Sequence, residues 1–149
     1  MNTDVMFSSK KDQLATPQSF FDELNEEFNF TLDPCADEFN HKCGKYFTKD
    51  QDGLSQDWGG ETVFCNPPYG REIPLWVKKC FEEVHSGCCP CVVMLIPART
   101  DTMWFHQYIY NRAEIRFIKG RLKFGDSVNY APFPSMVVVF RKGDANEHP

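Results

Sequence analysis

Nowhere does the sequence run to eighteen consecutive apolar residues, and its first residues hold no apolar core behind positive charge. Neither a membrane-spanning helix nor a secretory leader is therefore expected, and a cytoplasmic protein is the reading that remains. Internal repeats and low-complexity tracts are lacking, which argues against a solenoid or a disordered array. A regular cysteine framework is lacking too. The seven cysteines, at 35, 43, 65, 80, 88, 89 and 91, are odd in number and irregular in spacing, and read as free thiols in a reducing compartment. Cys88-Cys89-Pro90-Cys91 does contain a C-x-x-C spacing near Cys80 and His85, but a second half-site is missing, so no metal is expected.

Excess positive charge, the usual mark of a nucleic-acid partner, is also absent over the whole chain, whose net charge is -5. The balance changes along its length. Residues 1–98 carry sixteen acidic and eight basic side chains, whereas residues 99–149 carry five acidic and eight basic ones. Within the second part Arg112, Arg116, Lys119, Arg121 and Lys123, interleaved with Phe117 and Phe124, form a candidate stripe for phosphates. A solvated strand face is the alternative.

What is present is enough apolar material for one core: 149 residues, 42% hydrophobic and 15% aromatic. A polar segment at 1–15, a single domain over 16–142 and a polar tail at 143–149 are expected. Thr16 reads as an N-cap and Pro17 as a first-turn residue of a helix whose apolar face is Phe20, Phe21, Leu24 and Phe28. Phe30 to Leu32 reads as a strand ending at Asp33-Pro34, followed by a short strand at Lys45 to Thr48 and a turn at Asp52-Gly53. Thr62 to Cys65 reads as another strand. Pro74 to His85 is predicted as a helix with Leu75, Val77, Phe81 and Val84 inward, and Cys91 to Ile96 as a strand buried on both faces. Asp101 is expected to cap a helix through Trp104, Tyr108 and Ile109; Ile115 to Ile118 and Met136 to Phe140 complete the sheet. The alternation predicts an α/β fold, with a mostly parallel sheet, an antiparallel edge and helices on both faces.

Chemistry concentrates at Asn66-Pro67-Pro68-Tyr69, directly after the Thr62 to Cys65 strand, where open α/β sheets bind ligands. An exocyclic amine on a heteroaromatic ring is a poor nucleophile because its lone pair is delocalised. The Asn66 side-chain carbonyl and the Pro67 main-chain carbonyl can each accept one amine hydrogen, drawing the nitrogen toward tetrahedral geometry. Pro67 and Pro68 fix φ on successive residues and so aim those carbonyls. Tyr69 offers a face on which a planar base can stack, a contact worth about 1 to 3 kcal/mol. A rigid Pro-Pro turn is the bland alternative.

An activated amine needs an electrophile, and a methyl donor is the cofactor implied. Asp33, at the end of the first strand, is placed to meet the donor's ammonium, with small Cys35 and Ala36 admitting it to the backbone. Asp50 and Asp52 are candidates for its ribose hydroxyls and adenine amine, in either order. Thr16 and Pro17, at a helix start, are candidates for its carboxylate. Each has a plain structural alternative, as an Asp-Pro turn, an acidic turn or an ordinary cap.

Taken in order and spacing, these motifs make the chain resemble the phage-type DNA N6-adenine methyltransferase (phage Dam) family. The match runs from Phe7-Ser8-Ser9 through Thr16-Pro17, Phe30-x-Leu32-Asp33, Tyr46-Phe47-Thr48, Asp52-Gly53-Leu54, Asp57-Trp58, Asn66-Pro67-Pro68-Tyr69-Gly70, Trp76-Val77-x-Lys79, Leu95 to Asp101 and Gly120-Arg121-Leu122-x-Phe124 to Arg141. The resemblance implies a compact class I methyltransferase (Rossmann-like) fold, S-adenosyl-L-methionine as donor, and adenine N6 in DNA as acceptor, reached by base flipping. It adds Arg99 to Arg116, Lys119, Arg121 and Lys123 as expected DNA contacts. Leu14 stands where the family has tryptophan, and the Asp33 segment lacks a Gly-rich turn. Cytosine N4, a protein glutamine amide, or a silent DNA-binding module are the competing expectations.

Overall fold

Pro17, at φ -55° and ψ 132°, holds an extended conformation from which the chain turns into helix α1 (Gln18–Phe28). A computed structural model describes residues 14–143, so nearly all of the expected N-terminal polar segment and of the C-terminal tail lies outside the described residues. Pro17 is itself the N-cap, and the Thr16 hydroxyl makes no capping bond to the helix. That corrects the expected first turn by one residue. Asn29 ends α1 in the left-handed region, its N–H bonded to the Asn25 carbonyl at 2.9 Å.

Strand β1 (Leu32–Ala36) runs past Asp33-Pro34 instead of stopping there. Proline lacks an N–H, and the register accordingly slips between Asp33 and Ala36. Strands β2 (Lys45–Thr48) and β3 (Thr62–Cys65), helix α2 (Ile73–His85), and strands β4 (Cys91–Pro97), β5 (Glu114–Phe117) and β6 (Ser135–Arg141) follow. The sheet order is β2-β1-β3-β4-β6-β5. Pairs β1/β2, β1/β3 and β3/β4 are parallel, while β6 runs antiparallel to both β4 and β5. This is the expected mixed α/β sheet with its antiparallel edge.

Period-two burial splits the core into two layers. Phe64, Val93, Leu95, Val137 and Val139 meet Phe21 and Leu24 of α1 on one face. Val63, Cys65, Val92, Met94, Met136 and Val138 meet Ile73, Trp76, Val77, Cys80 and Val84 of α2 on the other. Within α2 the expected face is rotated. Leu75 is exposed, and Trp76 and Cys80 take the inward positions. The expected helix after Asp101 is a single π-helical turn, Phe105–Ile109, whose start is held by Thr102 Oγ1 accepting the Phe105 N–H at 3.3 Å. Tyr110, extended and with its N–H bonded to the Phe105 carbonyl at 2.8 Å, ends it.

Two short 3-10 turns, Lys49–Gln51 and Gly53–Ser55, bring Gly53 against the β1 backbone. A Cβ on Gly53 would sit 2.3 Å from the Pro34 carbonyl oxygen and 3.0 Å from the Trp76 ring. Trp58, fully buried, donates its indole N–H to the Gly53 carbonyl at 2.9 Å. Gly53→Ala is therefore expected to destabilise the fold by about 1 to 3 kcal/mol, because backbone must move. Gly44→Ala, where nothing lies within 4 Å, should stay within about 0.5 kcal/mol of the parent. Urea unfolding midpoints compare the two.

Candidate active site

The direction of winding reverses between β1 and β3, and ligands of such sheets bind at the carboxyl ends of the strands flanking that reversal. Asp33 to Ala36 lie at the end of β1, and Asn66 to Tyr69 follow β3 directly. The two motifs read separately from the sequence thus share one crevice.

Asn66 is held by its amide nitrogen. Its Nδ2 donates to the Leu14 carbonyl at 2.5 Å and to Thr16 Oγ1 at 3.0 Å. A carbonyl can only accept, so the nitrogen must face residues 14–16 and the oxygen must face away. That oxygen, Asn66 Oδ1, is buried and has no hydrogen-bond partner among the described residues. Leaving such an acceptor unpaired costs about 1 to 3 kcal/mol, a cost that a ligand's N–H would remove.

Two cavities meet at Cys35. The smaller, of about 30 Å³, is lined by Thr16, Asp33, Lys42, Phe64 and Asn66, among others, and has room for about two water molecules. The larger, of about 300 Å³, opens between Cys35, Thr48, Asp52, Gly53, Pro68 and Trp76. Asp33 is buried on the smaller side, where its carboxylate accepts the Cys35 N–H at 3.2 Å and the Lys42 N–H at 2.9 Å. Burial pushes its carboxyl above the ordinary value, against those two bonds. Each oxygen retains a lone pair for a ligand ammonium. Asp52, at φ 55°, lines the larger cavity, whereas Asp50 lines shallower surface hollows with Glu38 and Thr48. The structure thus separates two carboxylates that the sequence left interchangeable. Pro17 lines neither cavity.

Cys35 Sγ lies 3.6 Å from Cys65 Sγ, and Cys80 packs in the same cluster. Burial raises the Cys35 and Cys80 thiols well above their ordinary value, so both are neutral and apolar in character.

Tyr69 is more enclosed than a free stacking platform. Its hydroxyl donates to the Leu95 carbonyl at 3.2 Å, burial drives its phenol far up, and its ring meets Phe124 and Phe133 edge to face at 6.0 and 5.5 Å. Phe124, read from the sequence as part of an exposed stripe, is buried here. The β5–β6 loop that carries these rings reaches residues 14–16 through the Gly125 N–H and Ala15 carbonyl, 2.8 Å apart.

The basic stripe does not form one surface. Arg112, just before β5, lies at the opposite end of the strands, near Arg141 and Lys142. Arg116 is consumed in structure: its guanidinium makes two bonds to Glu27, at 2.8 and 2.7 Å, and one to Glu114 at 2.5 Å. Lys119, Arg121 and Lys123 are exposed on the β5–β6 loop, at the same edge as Asn66, and Arg99 is exposed just past β4. Arg121 bonds the Ala131 carbonyl at 3.3 Å, and Lys123 lies over the Tyr130 ring at 4.5 Å. The sequence pattern missed the Leu14 carbonyl, Gly53 and Trp76. Gly53 and Trp76 stand in two of the quoted motifs, Asp52-Gly53-Leu54 and Trp76-Val77-x-Lys79, with no role read for either.

Thr16→Val removes one of the two acceptors on Asn66 Nδ2 and should lower unfolding free energy by about 1 kcal/mol, while Thr16→Ser should retain the parental value. Chemical denaturation measures both.

The family described as DNA N-6-adenine-methyltransferase (Dam) matches residues 4–146. A DNA N-6-adenine-methyltransferase of Haemophilus phage HP1 (strain HP1c1) is 34% identical over 140 residues, covering 89% of this chain and 80% of that protein. A DNA N-6-adenine-methyltransferase of Escherichia phage T1 is 32% identical over 114 residues, covering 75% of this chain and 47% of that protein. With the match extending over both motifs of the crevice and the whole sheet between them, this chain belongs to the DNA N-6-adenine-methyltransferase (Dam) family.

Proposed function

We propose that this protein transfers a methyl group from S-adenosylmethionine to the N6 amine of adenine in DNA, with the target base flipped out of the duplex. The observation that carries the reading is the buried, unpartnered Asn66 Oδ1, turned away from residues 14–16 by the two acceptors on its own amide nitrogen. Adenine is the acceptor because the phage relatives are named for it.

Asn66 Oδ1 accepts one hydrogen of the adenine amine, and the Pro67 main-chain carbonyl accepts the other. Pro67 and Pro68 hold those acceptors with little freedom left to lose. Conjugation of the amine with the ring weakens as its hydrogens are drawn out of plane, and the nitrogen lone pair becomes available. No strong base is required, since the neutral amine sheds its proton after it has been alkylated. When bound, S-adenosylmethionine supplies an electrophilic methyl on a sulfonium. The residues present fit it: the larger cavity is lined by Asp52, which suits ribose hydroxyls, and Cys35 joins this cavity to the smaller one, where Asp33 suits an ammonium and the Thr16 hydroxyl retains a proton for a carboxylate. The roughly 30 Å³ beside Asn66 is too small for a purine. Entry of a base into that space therefore requires residues 14–16, which line it, to shift.

Asn66→Ala is expected to lower kcat by about a hundredfold or more, with KM for DNA and donor affinity near the parental values, because the lost bond strengthens as the transition state forms. Methyl transfer from labelled donor to duplexes whose only exocyclic amine is adenine or cytosine measures this and identifies the acceptor. Parental kcat in Asn66→Ala would overturn the mechanism.

Lys119→Ala with Lys123→Ala should reduce the slope of log K against log salt for DNA binding by about 2, as two phosphate contacts are lost. Arg116→Ala should leave that slope unchanged, since its guanidinium is bonded to Glu27 and Glu114. Fluorescence anisotropy over a salt series reads both.

A further inference from the structure

Two tryptophans lie stacked beside the larger cavity, their ring centroids 6.3 Å apart and 22° from parallel, and they differ in one respect. Trp58 is fully buried and its indole N–H is satisfied by the Gly53 carbonyl at 2.9 Å. Trp76 is 5% exposed, lines the cavity, and has a buried indole nitrogen with no acceptor among the described residues. Buried indole N–H groups usually find a partner, and leaving one unmade costs about 1 to 3 kcal/mol. The α2 position of Trp76 is set by core packing, and Gly53 is pressed against its ring, so the indole has little room to turn toward another acceptor.

From this we infer that the Trp76 indole N–H is a hydrogen-bond donor to the adenosine part of S-adenosylmethionine, accepted by a ring nitrogen or a ribose oxygen. The cavity's charges favour that part of the ligand. Asp52 and Glu72 outnumber Lys49 in its lining, so it disfavours the donor's carboxylate and accepts a neutral nucleoside. A cavity of about 300 Å³ is also at the lower end of the range for small-molecule sites, whereas the 30 Å³ space beside Asn66 is far below it. Trp76 thus acts as a cofactor-binding residue, with no part in the methyl transfer itself. The inference rests on the S-adenosylmethionine reading above.

The test uses the full chain labelled with 15N and S-adenosylhomocysteine as the probe, a product-like ligand that cannot be turned over. The chain has three tryptophans, Trp58, Trp76 and Trp104, and single Trp→Phe variants assign their indole N–H signals. On saturation the Trp76 proton should move downfield and exchange more slowly with solvent, while the Trp58 proton, already bonded to Gly53, keeps its exchange rate. Replacing Trp76 by 3-benzothienylalanine keeps the bicyclic shape and deletes only the N–H. Calorimetry on that protein should show S-adenosylhomocysteine affinity reduced about fivefold to tenfold, the loss of one neutral hydrogen bond. If the probe binds the parent while the Trp76 signal stays in place, or the analogue binds at parental affinity, the assignment of Trp76 is overturned and the cofactor reading stands. Should calorimetry detect no binding to the parent at all, both are overturned.

Discussion

The side-chain amide of Asn66 is where three distant parts of the chain are joined. Its nitrogen is claimed by the Leu14 carbonyl and the Thr16 hydroxyl, some fifty residues earlier, and the same short segment accepts the Gly125 N–H through Ala15. Because Leu14 offers a carbonyl, which has no hydrogen to give, the orientation of the amide follows from chemistry alone. The unpaired Oδ1 is the consequence. A single amide thus couples the entry to α1, the tip of β3 and the β5–β6 loop, and leaves a buried acceptor without a partner among the described residues.

The sheet makes that arrangement stiff. Strand β4 lies between β3 and β6 and is buried along nearly its whole length, with alternate side chains serving α1 on one face and α2 on the other. Tyr69 is bonded to this strand through the Leu95 carbonyl, so the residue after the two prolines is referenced to the most buried part of the core. At the other end of α1, Glu27 holds Arg116 and lies 3.7 Å from Arg141, and both guanidiniums lie over the Phe28 ring, at 5.4 and 5.6 Å. Glu114, held below the ordinary carboxyl range by bonds from these two arginines, completes the cluster. Charge that reads in one dimension as a surface for phosphates is spent here on docking a helix to the sheet.

The crevice is divided in two. A small polar space beside Asn66 and a larger one between Asp52 and Trp76 share Cys35 as a common wall. The buried thiols beneath, Cys35, Cys65 and Cys80, serve as small apolar fillers that let the strand tips and α2 approach closely.

How much of this was legible in one dimension varies with the range of the force involved. Strands β2, β3, β4 and β6 and helices α1 and α2 follow from apolar periodicity, which is a property of neighbouring residues, and the Asn66 to Tyr69 motif follows from its position after an apolar run. Leu75 was misplaced and Trp76 overlooked because helix phase is settled by which side chain fits the sheet, and an indole fills that space better than leucine. Arg116 was misassigned because its partners, Glu27 and Glu114, reach it only across the helix–sheet interface. By itself, then, the sequence determined the alternating elements, the residue types able to hold an amine and the order of the motifs. Only the tertiary structure decided which end of the Asn66 amide is bonded, which of Asp50 and Asp52 lines the larger cavity, and which arginine is tied to Glu27 and Glu114, because each depends on contacts between residues far apart in the chain.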